Sequence, residues 1–109
     1  RARLVYQTLL ARHDDLLVTS YVFAESAGLI TRRLGFEAFR TFVGSAEAVL
    51  EVIWVDRALH SRAWERMVSR NGAGLSFVDW TTVVVAETYN ASIFAYDQDF
   101  DREGLPVIR

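Results

Sequence analysis

The chain has 109 residues, 51% of them hydrophobic, and carries a formal net charge of −2. This composition predicts a single folded domain over residues 1–109, and it excludes a disordered chain and one drawn to nucleic acid by its overall charge. The sequence has no cysteine, which excludes disulfides and thiolate metal sites, and no apolar run approaches the roughly 20 residues that span a bilayer. We therefore expect a cytoplasmic protein with no membrane segment.

Hydrophobic spacing predicts helices and short strands in alternation. In chain order we expect a helix over 1–12, a strand over 16–19, helices over 21–34 and 36–47, a strand over 49–55, helices over 57–70 and 76–90, and strands over 92–96 and 105–108. Ser20, Asp56 and Ser76 are each suited to start the helix that follows, and Gly35 is suited to end one. The "VVV" run at 83–85 is β-prone, so a strand remains the alternative there.

Short apolar strands that alternate with helices are typical of an α/β fold. We expect three layers, with a mainly parallel sheet flanked by helices. Ligands of such sheets bind at the carboxyl ends of the strands. Asp97 directly follows the strand-like "SIFAY", so it lies where function is expected.

Two acidic residues have unusually apolar neighbours. Glu25 lies within "YVFAESAGLI", near one rim of the buried face of its helix; the alternative is a surface glutamate loosely paired with Arg32. Asp79 lies within "LSFVDWTTVVVAE", near a helix start, where the helix dipole alone would justify a negative charge. Its helical neighbours are small or weakly polar, however, which would leave its carboxylate partly desolvated and in need of a partner.

The stretch "YDQDF" places Asp97 and Asp99 two residues apart on what is expected to be extended chain. Both side chains can then face the same way, and two facing carboxylates repel each other unless a cation lies between them. Mg²⁺ and Mn²⁺ prefer oxygen ligands. A calcium EF-hand is excluded, because Arg102 and Ile108 occupy the positions that need Gly and Glu. Ordinary solvation of an acidic loop remains the alternative.

The histidines and the large aromatic residues indicate no catalytic group by themselves. His13 and His60 have no matching cluster of ligands in the sequence, and each is interpreted as a solvated or capping histidine. Six aromatic residues are interpreted as core or interface, namely Phe36, Phe39, Phe42, Trp54, Trp64 and Trp80. Of these, Phe39, Phe42 and Trp64 are also candidates for a dimer contact or for a groove that binds a partner protein.

The order of the acidic segments resembles that of the PIN-domain ribonucleases, and most closely the VapC-type toxins of bacterial toxin–antitoxin pairs. "LLVTSYVFAESAGLITRR" is similar to the family's strand and helix with a buried-side Glu, at Glu25. "GLSFVDWTTVVVAETYNASIFAYDQDF" is similar to a later helix that opens with Asp, at Asp79, and runs into a strand that ends in Asp, at Asp97. Asp99 matches the polar or acidic residue that often follows.

The resemblance implies a metal-dependent endoribonuclease that hydrolyses phosphodiester bonds of single-stranded RNA. It assigns catalysis to Glu25, Asp79 and Asp97, which would hold Mg²⁺ or Mn²⁺ with help from Asp99. It also implies a cognate antitoxin as a partner, and we expect a homodimer.

Two adjacent arginines, Arg32 and Arg33, are candidates for contact with the RNA backbone. Arginine suits planar, bidentate contact with phosphate, and such contact would make binding strongest at low salt. The alternative is a surface or antitoxin contact.

Some features depart from the family's pattern. Its first strand carries an Asp that nothing here matches, so we expect either that a segment with this strand precedes Arg1 or that the domain is a catalytically inactive protein-interaction module. Ala95 stands where the family often has Thr or Ser, and Trp80 is bulkier than usual. We expect these two differences to affect the pocket rather than the fold.

Overall fold

The computed structural model describes residues 9–94 and 107–108, which form one sheet and four helices. The strands are β1 (Leu9–Arg12), β2 (Asp15–Thr19), β3 (Leu50–Ile53), β4 (Ser92–Phe94) and β5 (Val107–Ile108), and the helices are α1 (Ser20–Leu34), α2 (Phe36–Val49), α3 (Arg57–Ser69) and α4 (Phe77–Tyr89). Between residues 15 and 94 these elements lie close to their predicted bounds, and the α/β class is confirmed. Residues 95–96 and 105–106 of the two predicted C-terminal strands lie outside the described residues. No helix within the described ranges is long and apolar enough to cross a membrane.

The sheet has the strand order β3-β2-β1-β4-β5. The pairs β2–β3 and β4–β5 are parallel, whereas β1 is antiparallel to both β2 and β4. The four strands other than β1 therefore run in one direction, and their carboxyl ends meet at one edge of the sheet. We call this edge the carboxyl edge.

The prediction of a helix over residues 1–12 is wrong for its described part, because residues 9–12 form the central strand β1. The turn at His13 and Asp14 reverses the chain, so that Arg12 pairs with Asp15. His13 has a φ of 56°, a left-handed conformation that histidine adopts more readily than most residues. Leu10 is fully buried in the hydrophobic core. Sheet pairing and burial override the helical spacing of this short segment.

Helix α4 is the centre of the hydrophobic core. All seven residues from Trp80 to Ala86 are buried, and α4 packs against α3, α1 and β2. A helix that is apolar on every side is stable only when protein surrounds it, which explains why "VVV" forms a helix here and why the strand alternative is wrong. The indole of Trp80 is fully buried, and its Nε1 donates a hydrogen bond of 3.0 Å to the Gly72 carbonyl. Trp80 therefore fills the core rather than a surface pocket.

Side-chain caps fix where the helices begin at the carboxyl edge. Asp56 caps α3 as predicted, since its Oδ1 accepts a 2.9 Å hydrogen bond from the Leu59 amide. The predicted cap of α1 is wrong by one residue, because Thr19 accepts the bond from the Val22 amide. Ser20 instead accepts a 3.0 Å bond from the Val55 amide. It therefore joins the start of α1 to the loop that follows β3.

An ion pair joins helices α3 and α4 on their outer side. Both terminal nitrogens of the Arg66 guanidinium donate to the Glu87 carboxylate, each at 2.8 Å. This hydrogen bonding lowers the pKa of Glu87 below its ordinary value. A bidentate pair of arginine and carboxylate fixes the relative orientation of the two side chains as well as attracting them. The ion pair therefore helps to hold α4 against α3.

We predict that Ser76→Ala destabilises the fold, because Ser76 and Asp79 form a reciprocal cap at the start of α4. Loss of one such cap costs about 0.5–2 kcal/mol of unfolding free energy, measurable by urea denaturation. The control is Ser45→Ala, at an exposed position within α2, where alanine is the better helix former. Equal stability of the two variants would contradict the capping role.

Candidate active site

Two of the predicted catalytic residues come together at the carboxyl edge. Glu25 lies in the second turn of α1, which begins where β2 ends, and Asp79 lies in the first turn of α4. The starts of these two helices meet, since the rings of Tyr21 and Phe77 are 6.3 Å apart. Asp79 is near enough to Glu25 to act on its ionisation. Residues 54 positions apart in sequence thus share one site.

The electrostatics of this pair are unfavourable for two ionised carboxylates. The pKa of Glu25 is raised above its ordinary value, chiefly because surrounding protein removes water from the carboxylate and secondly because of the negative charge of Asp79. Glu25 is nevertheless on the surface, so a ligand has access to it. A bound cation would offset both causes of the shift.

The half-buried Asp79 also has a structural role. Its Oδ2 accepts a 3.0 Å hydrogen bond from the Ser76 amide, and its own amide donates to the Ser76 hydroxyl at 3.1 Å. These two bonds form a capping box, and they hold the carboxylate in one orientation. The helix dipole was predicted to favour a negative charge at this position, and the structure adds a specific cap. The capped carboxylate of Asp79 lies near Glu25.

Asp97 and Asp99 lie outside the described residues. The nearest described residue before them is Phe94, the last residue of β4, which pairs with Leu9 on one side and Ile108 on the other. Because β4 runs parallel to β2 in direction, its chain leaves the sheet at the carboxyl edge, where Glu25 and Asp79 also lie.

Two carboxylates among the described residues could serve as oxygen donors to a cation. Within residues 9–94 and 107–108, no group of three or more His, Asp or Glu side chains is arranged to hold a metal ion. Glu25 and Asp79 provide two carboxylates, which are ligands of the kind that Mg²⁺ and Mn²⁺ prefer. Their mutual repulsion fits a hard cation, and a complete site would need further oxygen ligands.

The predicted RNA-contacting arginines lie at the far end of α1. Arg32 and Arg33 are exposed in its last turn, where positive charge also stabilises a helix. Arg32 follows Glu25 by seven residues, which places it on the same stripe of the helix, about 10 Å along the axis. The alternative of a surface glutamate loosely paired with Arg32 is confirmed in its first part, because Glu25 is exposed. No ion pair joins it to Arg32 among the described residues.

A group of rings beside the carboxylates was not predicted from the sequence. Tyr21, His60, Trp64 and Phe77, which we call the aromatic cluster, meet where α1, α3 and α4 converge. The Tyr21 hydroxyl and His60 Nδ1 share a hydrogen bond of 2.7 Å, so His60 is neither simply solvated nor a cap. The spacing of His60 and Trp64, four residues apart on one helix face, was the available signal. This spacing does not reveal which other helix the two side chains contact.

Comparisons with known proteins agree with this architecture. The family model of the PIN domain matches residues 2–104. Among solved structures, VapC20 of Mycobacterium tuberculosis, a sarcin-ricin loop cleaving toxin, is similar with a TM-score of 0.72 and 29% sequence identity, over 85% of this chain and 73% of that chain. No curated protein matches the sequence. The mainly parallel sheet, the helices around it and the match over residues 2–104 together establish that the chain belongs to the PIN-domain family.

Proposed function

We propose that this protein is a metal-dependent endoribonuclease that hydrolyses single-stranded RNA and acts as the toxin of a toxin–antitoxin pair. One observation carries the proposal. Glu25 and Asp79 come from different helices to the carboxyl edge of the sheet, close enough for Asp79 to raise the pKa of Glu25. Repulsion between carboxylates is costly in a protein that has no use for a cation there.

The similarity to VapC20, which cleaves the sarcin-ricin loop, supports an RNA substrate. Sequence-specific recognition of RNA usually involves unpaired loops, whose bases can be splayed apart. We therefore infer that the substrate is an exposed single-stranded or looped segment of RNA. The similarity does not identify which RNA is cleaved, because two toxins that share 29% of their sequence can cleave different RNAs.

We assign the metal site to Glu25, Asp79 and Asp97, assisted by Asp99. When bound, Mg²⁺ or Mn²⁺ would polarise the scissile phosphate and lower the pKa of a bound water. The carboxylates must be ionised to serve as ligands, and the Ser76 amide orients that of Asp79. No histidine base is needed in this scheme.

Arg32 and Arg33 are proposed to bind RNA phosphates on either side of the cleaved bond. Arg32 is the stronger candidate, because it shares a helix stripe with Glu25, whereas Arg33 points about 80° away. Arg32 also lies back along α1: a Cβ built on Gly28 would be 3.6 Å from its Nη1. A guanidinium in this position reaches toward the carboxylates rather than away from them.

The expected protein partners are a cognate antitoxin and a second copy of the chain. Several large apolar side chains are exposed, among them Leu34, Phe36 and Trp54, and exposed apolar surface of this kind favours association. An RNA substrate and the cysteine-free sequence favour the cytoplasm. The alternative, an inactive protein-interaction module, would use the same surfaces without any metal-dependent cleavage.

We predict that Asp79→Asn abolishes Mn²⁺ binding and RNA cleavage while preserving the fold. Asparagine can still accept the hydrogen bond from the Ser76 amide, so the helix start is kept and only the charge is lost. The measurements are calorimetric titration with Mn²⁺ and cleavage of a single-stranded RNA, with at least a 100-fold loss of rate expected (on the order of removing one essential catalytic group). Asp14→Asn, in the turn at the opposite edge of the sheet, is the control.

Retention of cleavage by Asp79→Asn would reject the assigned site. Absence of Mn²⁺-dependent cleavage in the unaltered protein would favour the inactive module. Asp97→Asn tests the third ligand in the same way, and it should resemble Asp79→Asn.

We predict that Glu25→Gln stabilises the metal-free protein at neutral pH. Because folding raises the pKa of Glu25, the folded chain holds this proton more tightly than the unfolded chain, so stability falls as pH rises above the ordinary value of 4.5. Glutamine removes this loss, and we expect the melting temperature to rise by a few degrees at pH 7. At about pH 3, where both states are protonated, the difference should vanish.

The same melting experiment, repeated with Mn²⁺, tests whether the Glu25 carboxylate is a metal ligand. Addition of Mn²⁺ should raise the melting temperature of the unaltered protein but not that of Glu25→Gln, since only the former has the ligand. Glu51→Gln, at an exposed position of β3, serves as the control. A Glu25→Gln variant less stable than the unaltered metal-free protein would contradict the electrostatic account.

We predict that Arg32→Gln weakens RNA binding most at low salt. Loss of one phosphate contact should reduce the slope of log affinity against log salt concentration by about 0.7 for single-stranded RNA. Arg33→Gln should have a smaller effect, and Arg40→Gln, an exposed arginine paired with Glu37 on α2, should have none. Equal effects of all three would indicate non-specific attraction.

A further inference from the structure

Two rings of the aromatic cluster, His60 and Trp64, lie on the surface, whereas Phe77 packs against the core. The core side of α3 is formed by Leu59 and Ala63, whereas His60 and Trp64 lie on a neighbouring face and are exposed, Trp64 to 57%. An indole left this open to water lacks the packing that would make it a core residue. Its exposed ring is accessible to a ligand.

Edge-to-face contacts hold these exposed rings in fixed orientations. The ring centroids of His60 and Phe77 are 4.9 Å apart at 70°, and those of Trp64 and Phe77 are 5.8 Å apart at 73°. The hydrogen bond between the Tyr21 hydroxyl and His60 Nδ1 restrains His60 further. Rings held in this way lose little freedom when a flat ligand stacks on them, which favours binding.

A surface cavity adjoins the cluster. It has a volume of about 440 Å³ and is lined by His60, Ser61, Trp64 and Glu65, a size within the usual range for small-ligand sites. All four of these described lining residues lie on α3, where two present aromatic rings and two present a hydroxyl and a carboxylate. The carboxylate of Glu65 disfavours a phosphate, so a neutral, flat group with N–H donors fits this chemistry better.

The cluster is continuous with the carboxylates of the candidate active site. Tyr21 precedes Glu25 by one helical turn on α1, and Phe77 precedes Asp79 by two residues on α4. Residues four apart on a helix have Cβ atoms about 5–6 Å apart. A base beside the cluster would therefore belong to a nucleotide next to the phosphate held at Glu25 and Asp79.

We propose that the aromatic cluster and its cavity bind one unpaired nucleobase of the RNA substrate, with guanine preferred. This inference rests on the proposed ribonuclease function. Stacking on aromatic side chains is a common way to bind unpaired bases. Guanine presents two adjacent N–H donors that match the two oxygens of Glu65, whereas uracil presents one N–H between two carbonyl oxygens that the carboxylate repels.

Tryptophan fluorescence tests this proposal directly. In a Trp54→Phe background, Trp64 is the only exposed tryptophan, because Trp80 is fully buried. We would titrate this protein with 2′-O-methylated oligonucleotides of guanosine or uridine, which resist cleavage, in the presence of EDTA. Quenching with tighter binding of the guanosine oligonucleotide is expected.

Substitutions then locate the binding. Trp64→Ala should weaken binding between about 5-fold and 150-fold, the range for loss of one stacked base, whereas Trp64→Phe should retain much of it. Glu65→Gln should reduce the preference for guanosine over uridine. Val68→Ala, another exposed apolar position on α3, is the matched control, and thermal melting verifies that each variant folds.

The outcomes separate this proposal from the nuclease assignment. Trp64-dependent binding without Mn²⁺-dependent cleavage would retain the base site and reject the nuclease. Cleavage in which Trp64→Ala leaves KM unchanged would retain the nuclease and overturn the base site. Failure of the metal-free protein to bind either oligonucleotide, or equal binding by Trp64→Ala, would also overturn it.

Discussion

The seven residues from Trp80 to Ala86 are buried in succession, so α4 has no face toward water. This burial fixes α4 against β2, α1 and α3, and the positions of the other elements follow from it. Because α4 ends just before β4 and starts beside α1, its first turn lies at the carboxyl edge. Asp79 and Phe77 are in that turn. The same packing that stabilises the core therefore delivers one carboxylate and one ring to the surface site.

The carboxylates at that edge show how function can act against stability. Asp79 gains a favourable position at a helix start, with a capping box to hold it, but its charge contributes to the raised pKa of Glu25. A fold selected only for stability would separate two such groups. Their closeness is understandable if a cation is to be bound there, since its positive charge offsets the repulsion between the two carboxylates. The neighbouring aromatic cluster would then contribute attraction that is independent of charge.

The sequence was a poor guide where contacts distant along the chain decide the outcome. The segment "LLAR" has helical spacing, but β2 and β4 give it partners on both sides, and it forms a strand. Ser20 is an acceptable cap by local rules, yet Thr19 caps α1 and Ser20 binds the Val55 amide, 35 residues away. The sequence around His60 contains no partner for it, because Tyr21 and Phe77 belong to other helices. None of these choices is visible in a window of neighbouring residues.

What the sequence determined by itself was local: the helices and strands between residues 15 and 94, the caps at Asp56 and Ser76, the stop at Gly35, and the unusual apolar setting of Glu25 and Asp79. These depend on side-chain chemistry and spacing within a few residues. Tertiary structure alone decided that β1 is an antiparallel strand in the centre of the sheet, that Glu25 and Asp79 share one edge, and that four rings from three helices meet beside them. The physical reason is that burial and electrostatic coupling depend on distance in space. Tertiary packing sets this distance, and separation along the sequence does not predict it.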